Sequence, residues 1–266
     1  MLPNFLIIGA PRSGTDFLSN VLSAHPDVCM ARTREVHFFD YNYEKGSAWY
    51  EDFFSACDER CMIGEKTANY LVKPECAQRI KETLNDPKLI VILRDPVDRA
   101  YSHYRNHIGW GVIAPEVTFR MYLESFPEVM IMGNYYEHLR RYFTIFGADA
   151  VHIISFNEML AHTADSYKQV LSFLGLRQIL IQNTGPKNEA KKIYRLGKVR
   201  IPLRIINRLR KYTPRFLSVP LLRSLEYKYQ KMSQDDRAFL ADYYAKSNAG
   251  LQDLLSTHKG KVYSYE

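Results

Sequence analysis

The sequence predicts a single α/β domain with a central parallel sheet flanked by helices, and two observations predict it. Short apolar runs alternate with segments of helical periodicity, and two of those runs end in a loop that leads directly into a helix. At 46% hydrophobic residues over 266 positions, the chain can bury one sizeable core, so one domain is expected over 1–266.

The expected strands are the apolar runs NFLIIG (4–9), DVCMA (27–31), CMIGEK (61–66), KLIVILR (88–94) and VHIISF (151–156). Helical spacing marks 14–24, 74–85, 96–108, 134–146 and 164–174 between and after them; Tyr135, Leu139, Tyr142 and Phe146, for example, recur on one face. Further on, Val199, Leu203, Ile206 and Leu209 share one side while Arg200, Arg204, Arg208 and Lys211 share another. This predicts a basic amphipathic helix over 202–211 with Pro202 in its first turn. A closing helix is expected over 233–255, with Ser233 as its N-cap and Asp235 and Asp236 in its first turn.

Charge is informative once it is located. The formal excess is +7, but residues 187–215 hold eleven Lys or Arg and one acidic residue, Glu189, so the rest of the chain carries 7 − 10 = −3. A basic segment on a slightly acidic body points to an anionic partner met at one place, such as an anionic membrane surface for 202–211, and not to nucleic acid. The four cysteines are too few for a disulfide scaffold, and Cys57 and Cys61 lack a partner pair for zinc, so free thiols are expected. No apolar stretch reaches the roughly 20 residues that cross a bilayer, and the first residues lack a basic n-region, so the chain is expected to be soluble and cytoplasmic.

The first strand ends at Gly9 and a helix opens near Gly14, across the tight run Ala10-Pro11-Arg12-Ser13. Backbone N–H groups turned inward by glycine, together with a helix N-terminus, favour a phosphate there, which makes the domain P-loop-like. An ATP-binding loop of the G-x-x-x-x-G-K-[ST] type would place Lys at position 15, where this chain has Thr15; its cation is Arg12, inside the loop. The second such junction is Arg94-Asp95-Pro96, after the fourth strand. Ser102 follows Arg94 by eight residues, about two helical turns, so both can reach one anion above the strand's C-terminal edge. Otherwise Arg94 and Asp95 would form a surface ion pair. Two anion sites on one sheet suit a nucleotide phosphorylated at two separated positions.

Gly9-Ala-Pro-Arg-Ser-Gly-Thr15, followed by Arg94-Asp-Pro and Ser102, resembles the paired signatures of sulfotransferases that use 3′-phosphoadenosine-5′-phosphosulfate (PAPS). REVHFFD (34–40), GEKTANYL (64–71), GNYYEHLRRYFTIFG (133–147) and VLSFLGL (170–176) resemble the heparan-type and bacterial carbohydrate branch. The likeness covers a core over 1–176 and thins over the divergent 177–266. It implies that Arg12, Ser13, Gly14, Thr15 and Asp16 contact the 5′-phosphosulfate, with Arg12 in place of a frequent lysine. Arg94 and Ser102 would bind the 3′-phosphate, assisted by Lys187 and Asn188 from a loop over the cofactor. In the cytosolic small-molecule branch the base is a histidine after a Lys-Thr pair, but here Ala68 follows Lys66-Thr67. The resemblance therefore implies Glu35 as general base, His37 and Asp40 as orienting groups and Lys66 facing the sulfuryl group. PAP would be the product, and the chemistry requires no metal.

The expected function is transfer of a sulfuryl group from PAPS to a hydroxyl or amine of a saccharide or glycolipid. The alternatives are a nucleotide kinase, disfavoured by Thr15, and an inactive module binding anionic glycans or membrane surfaces, for which Glu35 and Lys66 would be expendable. Taken alone, Glu35 and His37 could be polar residues alternating out of a strand while Phe38 and Phe39 fill the core. His103 and His107 are expected to be structural or to lie at the cleft rim.

Overall fold

Five parallel strands, β1 (Phe5–Gly9), β2 (Val28–Met30), β3 (Met62–Lys66), β4 (Lys88–Leu93) and β5 (Val151–Ser155), form one sheet in the order β2-β3-β1-β4-β5. In this computed structural model, residues 1–179, 194–196, 199–201, 212, 227 and 229–256 are described. All five expected strands are present, trimmed by a residue or so at their ends. Every residue of β1 is buried, as befits a central parallel strand covered on both faces.

Twelve α-helices are described: α1 (Thr15–Leu22), α2 (Phe38–Tyr41), α3 (Gly46–Glu51), α4 (Pro74–Thr83), α5 (Pro96–Trp110), α6 (Phe119–Ser125), α7 (Glu128–Ile131), α8 (Tyr135–Phe146), α9 (Phe156–Ala161), α10 (Thr163–Leu174), α11 (Gln234–Ser247) and α12 (Leu251–Ser256). One core joins Leu6, Ile8, Leu89 and Val91 to Phe38, Tyr50, Ile80, Leu139 and Leu255 on one side of the sheet. Ile7, Ile90 and Ile92 point the other way, onto Leu18, Val21 and Leu171 of α1 and α10. A third cluster seats α11 on α5 through Leu240, Tyr244 and Tyr104.

Local chemistry sets the helix starts. Asp95 accepts from the Asp98 amide at 2.7 Å with Pro96 in the first turn, and Ser233 accepts from the Asp236 amide at 3.0 Å. The closing helix expected as one piece is two. Asn248 turns its side chain to the Tyr136 amide at 3.1 Å and the Gly133 carbonyl at 2.9 Å, and Gly250 adopts φ 85°.

Two expectations change. Cys29 and Cys57 form a disulfide, with Cα atoms 5.7 Å apart, while Cys61 and Cys76 are free. The reason is tertiary: β2 pairs with β3, and the Arg32 amide reaches the Phe53 carbonyl at 3.2 Å, folding the segment before Cys57 back onto the end of β2. Val199, read as the start of a helical face, lies instead in β7 (Val199–Ile201), antiparallel to β6 (Tyr194–Leu196). The basic stretch 202–211 falls outside the described residues. No described helix is long and apolar enough to cross a membrane.

Candidate active site

The chain reverses direction across the sheet at β1, whose neighbours are β3 and β4, so the crevice opens at the C-terminal edges of these strands. The loop after β1 rises into this crevice. Arg12 (φ 69°) and Gly14 (φ 87°) both take the left-handed conformation that brings the chain onto the N-terminus of α1. Gly14 is required there for space as well, since a Cβ would meet Met159 Cε at 2.9 Å and the Phe156 ring at 3.1 Å.

A cleft of about 1090 Å³ is lined by Arg12, Gly14, Thr15, Asp16, Arg94 and Ser102, six of the residues expected to contact the cofactor. Ser13 is fully buried beneath them, against the Tyr135 hydroxyl. Arg94 follows β4 immediately and turns inward, away from Asp95. Its Nη1 donates to the Arg12 carbonyl at 3.2 Å, and its guanidinium lies 4.7 Å from the centre of the Phe156 ring. Among the described residues, neither Arg12 nor Arg94 pairs with a carboxylate, and Arg12 Nε is buried without a partner. Burial pulls both guanidiniums down from their ordinary pKa; the charge of Asp16 on Arg12 and of Asp98 on Arg94 opposes this, and the like charge of a neighbouring arginine adds to the lowering in each. Two desolvated cations at a helix N-terminus are a fit for a doubly phosphorylated anion. Lys187 and Asn188 lie outside the described residues.

The groups expected to take part in the reaction meet beside this loop. Lys66 ends β3 opposite Ile7 of β1, and its ammonium lies 2.7 Å from Asp16 Oδ1 and 3.0 Å from Glu35 Oε1. The Lys66 side chain is 2% exposed and that of Glu35 32%, so the cation is enclosed while the carboxylate remains reachable. Glu35 Oε1 also accepts from the Ala68 amide at 3.3 Å, and its Oε2 is 3.8 Å from His37 Nε2. His37 is held in turn by the buried Asp40, whose Oδ2 is 2.8 Å from Nδ1. The hydrogen bond that His37 donates to Asp40 raises the His37 pKa, burial opposes it, and the charges of Asp40 and Glu35 add to the rise.

Asp16 lines the cleft but directs both oxygens to cations: Arg34 Nε at 2.8 Å, Arg34 Nη2, and Lys66. Burial pushes its carboxyl up, yet the hydrogen bonds from Arg34 and Lys66 outweigh this and hold it at about 2. Arg34 and Arg105 also line the cleft, and neither was singled out from the sequence. Arg34 adjoins Glu35 and could have been marked; Arg105 follows Ser102 by three, on a neighbouring helical position. His103 and His107 pack ring to ring, 4.6 Å apart on α5, with His107 Nδ1 3.1 Å from the Tyr122 hydroxyl. Burial pulls His103 down to about 2, so it is neutral at physiological pH.

Comparison with known proteins agrees with this geometry. Residues 2–205 match the family described as the sulfotransferase domain. The chain is 34% identical over 197 residues to mouse heparan sulfate glucosamine 3-O-sulfotransferase 3A1, covering 71% of this chain and 50% of that protein; it spans about half the length of such curated relatives. The fold superposes on a sulfotransferase from Alicyclobacillus acidocaldarius with TM-score 0.73 and 23% identity, over 96% of each chain. A mouse sulfotransferase solved with PAP matches at TM-score 0.50 and 20% identity, over 67% of this chain and 61% of that one. With its matched region spanning all five sheet strands and both strand-to-helix junctions, after β1 and after β4, the chain belongs to the sulfotransferase-domain family.

Proposed function

We propose that this protein transfers a sulfuryl group from PAPS to a hydroxyl or amine of a saccharide acceptor. The observation that carries the reading is the Glu35–Lys66 contact at 3.0 Å, next to the buried guanidiniums of Arg12 and Arg94, neither of which makes an ion pair with a described carboxylate. PAPS supplies a sulfuryl group on a phosphate leaving group. Arg12, Ser13, Gly14 and Thr15 hold its 5′ end, and Arg94 and Ser102 hold its 3′-phosphate. Glu35 takes the proton from the acceptor hydroxyl, which is a poor nucleophile until a positioned base does so. His37, fixed by Asp40, faces the other Glu35 oxygen. Lys66 and Arg12 place positive charge where negative charge gathers during transfer.

The acceptor class is supported by the mouse relative at 34% identity, whose name gives heparan sulfate glucosamine as what it sulfates. A glycolipid acceptor, with 202–211 resting on an anionic surface, rests on the sequence pattern alone. Compartment is tested separately: a Cys29–Cys57 bridge is favoured by oxidising surroundings, and thiol labelling in intact cells decides between those and the cytoplasm.

Calorimetry with PAP, AMP and Mg·ATP, followed by sulfate transfer from PAPS to heparan sulfate, phenols and glycolipids, tests the proposal. PAP is expected to bind far more tightly than the other nucleotides, and a saccharide to accept sulfate. Turnover is expected to be unchanged by EDTA. Tight Mg·ATP binding with no sulfate transfer would favour a kinase; tight glycan binding without transfer would favour an inactive binding module.

A further inference from the structure

Glu65 is fully buried next to Lys66, and adjacent residues of a strand project to opposite faces, so it points away from the cleft into the core around Tyr50 and Tyr70. No step above uses it. Its Oε1 accepts from the Thr67 hydroxyl at 2.6 Å and the Tyr70 hydroxyl at 2.7 Å, and its Oε2 accepts from the Tyr50 hydroxyl.

A hydroxyl has one proton to give and two lone pairs that accept. Glu65 takes the proton of both Thr67 and Tyr70, which leaves all four lone pairs for the segment opposite. Thr67 Oγ1 accepts from the Val36 amide at 3.2 Å and the His37 amide at 3.3 Å. Tyr70 Oη accepts from the Phe38 amide at 2.8 Å and the Phe39 amide at 3.4 Å. Four consecutive amides thus end on two hydroxyls oriented by one carboxylate oxygen. Those of Phe38 and Phe39 lie in the first turn of α2, where amides have no partner within the helix.

We propose that Glu65 is a positioning residue for catalysis: it fixes Thr67 and Tyr70 as acceptors, and through them the backbone that presents Glu35 and His37 to Lys66. The inference rests on Glu35 acting as the base. A carboxylate serves this purpose because it only accepts; a donor at the same place would turn a hydroxyl around and leave a buried amide unpaired.

The test joins amide hydrogen exchange and turnover in the full chain. Thr67→Val is nearly isosteric and removes one hydroxyl; Thr67→Ser keeps it. Glu65→Leu removes the shared acceptor, whereas Glu65→Gln keeps an oxygen for Thr67 and Tyr70 with its amide nitrogen turned to Tyr50. In Thr67→Val the Val36 and His37 amides should exchange about tenfold faster or more, with the Ser13 amide unchanged. Its kcat for sulfate transfer from PAPS to heparan sulfate should fall roughly 10- to 100-fold while the PAP Kd stays within about twofold. Glu65→Leu should show the same two changes, with wild-type exchange and kcat in a folded Glu65→Leu chain also overturning the proposal, whereas Thr67→Ser and Glu65→Gln should keep most of both readouts. A folded Thr67→Val chain with wild-type exchange at Val36 and His37, or with faster exchange and wild-type kcat, overturns the proposal. Should the unsubstituted chain transfer nothing to heparan sulfate, the acceptor class fails instead. The exchange measurement then decides the loop's positioning, and kcat is read on whichever acceptor in the screen is sulfated.

Discussion

Replacing Arg94 with alanine should weaken PAP binding by roughly 10- to 150-fold and leave AMP almost untouched. The guanidinium does little for the protein itself. It makes one hydrogen bond, to the Arg12 carbonyl at 3.2 Å, and packs 4.7 Å from the centre of the Phe156 ring, with no described carboxylate as partner. Removing it should relieve repulsion with Arg12 and forgo a longer-range attraction to Asp98, so little of the fold depends on it. A charge-assisted contact contributes about 1.5–3 kcal/mol, and about 1.4 kcal/mol corresponds to a factor of ten in affinity, which gives the range stated. Titration calorimetry with PAP and AMP at one ionic strength reads the effect, and a melting curve checks that the fold is intact. Arg94→Lys should recover part of the affinity, since it restores charge without the planar fork. Equal losses for PAP and AMP would remove Arg94 from the 3′-phosphate site and refute the assignment.

Glu35→Gln should lower turnover by about 10²-fold or more with PAP affinity and melting temperature nearly constant; a variant that keeps most of its turnover would make His37 the next candidate for the base. Asp40→Asn should lower the His37 pKa toward its ordinary value. Because that pKa is raised in the folded chain, the pair's stabilisation is present below the unfolded value near 6.5 and is lost as pH rises through the folded value. The stability gap between wild type and Asp40→Asn should therefore be larger at about pH 5.5 than at about pH 8.5, and a gap independent of pH would exclude the His37–Asp40 linkage. Cys57→Ser should cost about 3–4 kcal/mol in urea unfolding, as expected for a bridge between residues 28 apart, and a loss below about 1 kcal/mol would show that the bridge constrains the unfolded chain little.

What was legible in the sequence was local. Each strand is an apolar run of the right length because parallel strands are covered on both faces, and Gly14 announces its turn because only glycine fits φ 87° against Met159 and Phe156. The rest depends on contacts between segments distant in sequence. Asp16 and Arg34, eighteen residues apart, meet across the cleft because α1 and the segment after β2 both rise from the same edge of the sheet. Glu65 and Lys66 are neighbours, yet one orders the core and the other serves the cleft; the alternation of β3 separates them, and only the positions of Thr67 and Tyr70 show what Glu65 is for. Cys29 and Cys57 looked like spare thiols because the pairing of β2 with β3, which brings them together, leaves no trace in their spacing.

The distribution of uncompensated charge gives the cleft a direction. Lys66 has three N–H donors; Asp16 and Glu35 take two, so one remains for a substrate. Arg34 is likewise committed to Asp16. At the Glu35 end, Asp16 and Glu35 pair with Lys66 and Arg34, while at the other end Arg12 and Arg94 line the cleft with no described carboxylate within ion-pair distance, Asp98 of the same cleft being paired with Arg237. A polyanionic donor is therefore favoured at the arginine end, where the cations are not ion-paired, over the Glu35 end, where they are. The ammonium beside Glu35 comes from β3 and not from position 15. There Thr15, 5% exposed, begins the first turn of α1, whereas an ammonium reaching in from the neighbouring strand can touch the base and the transferring group together.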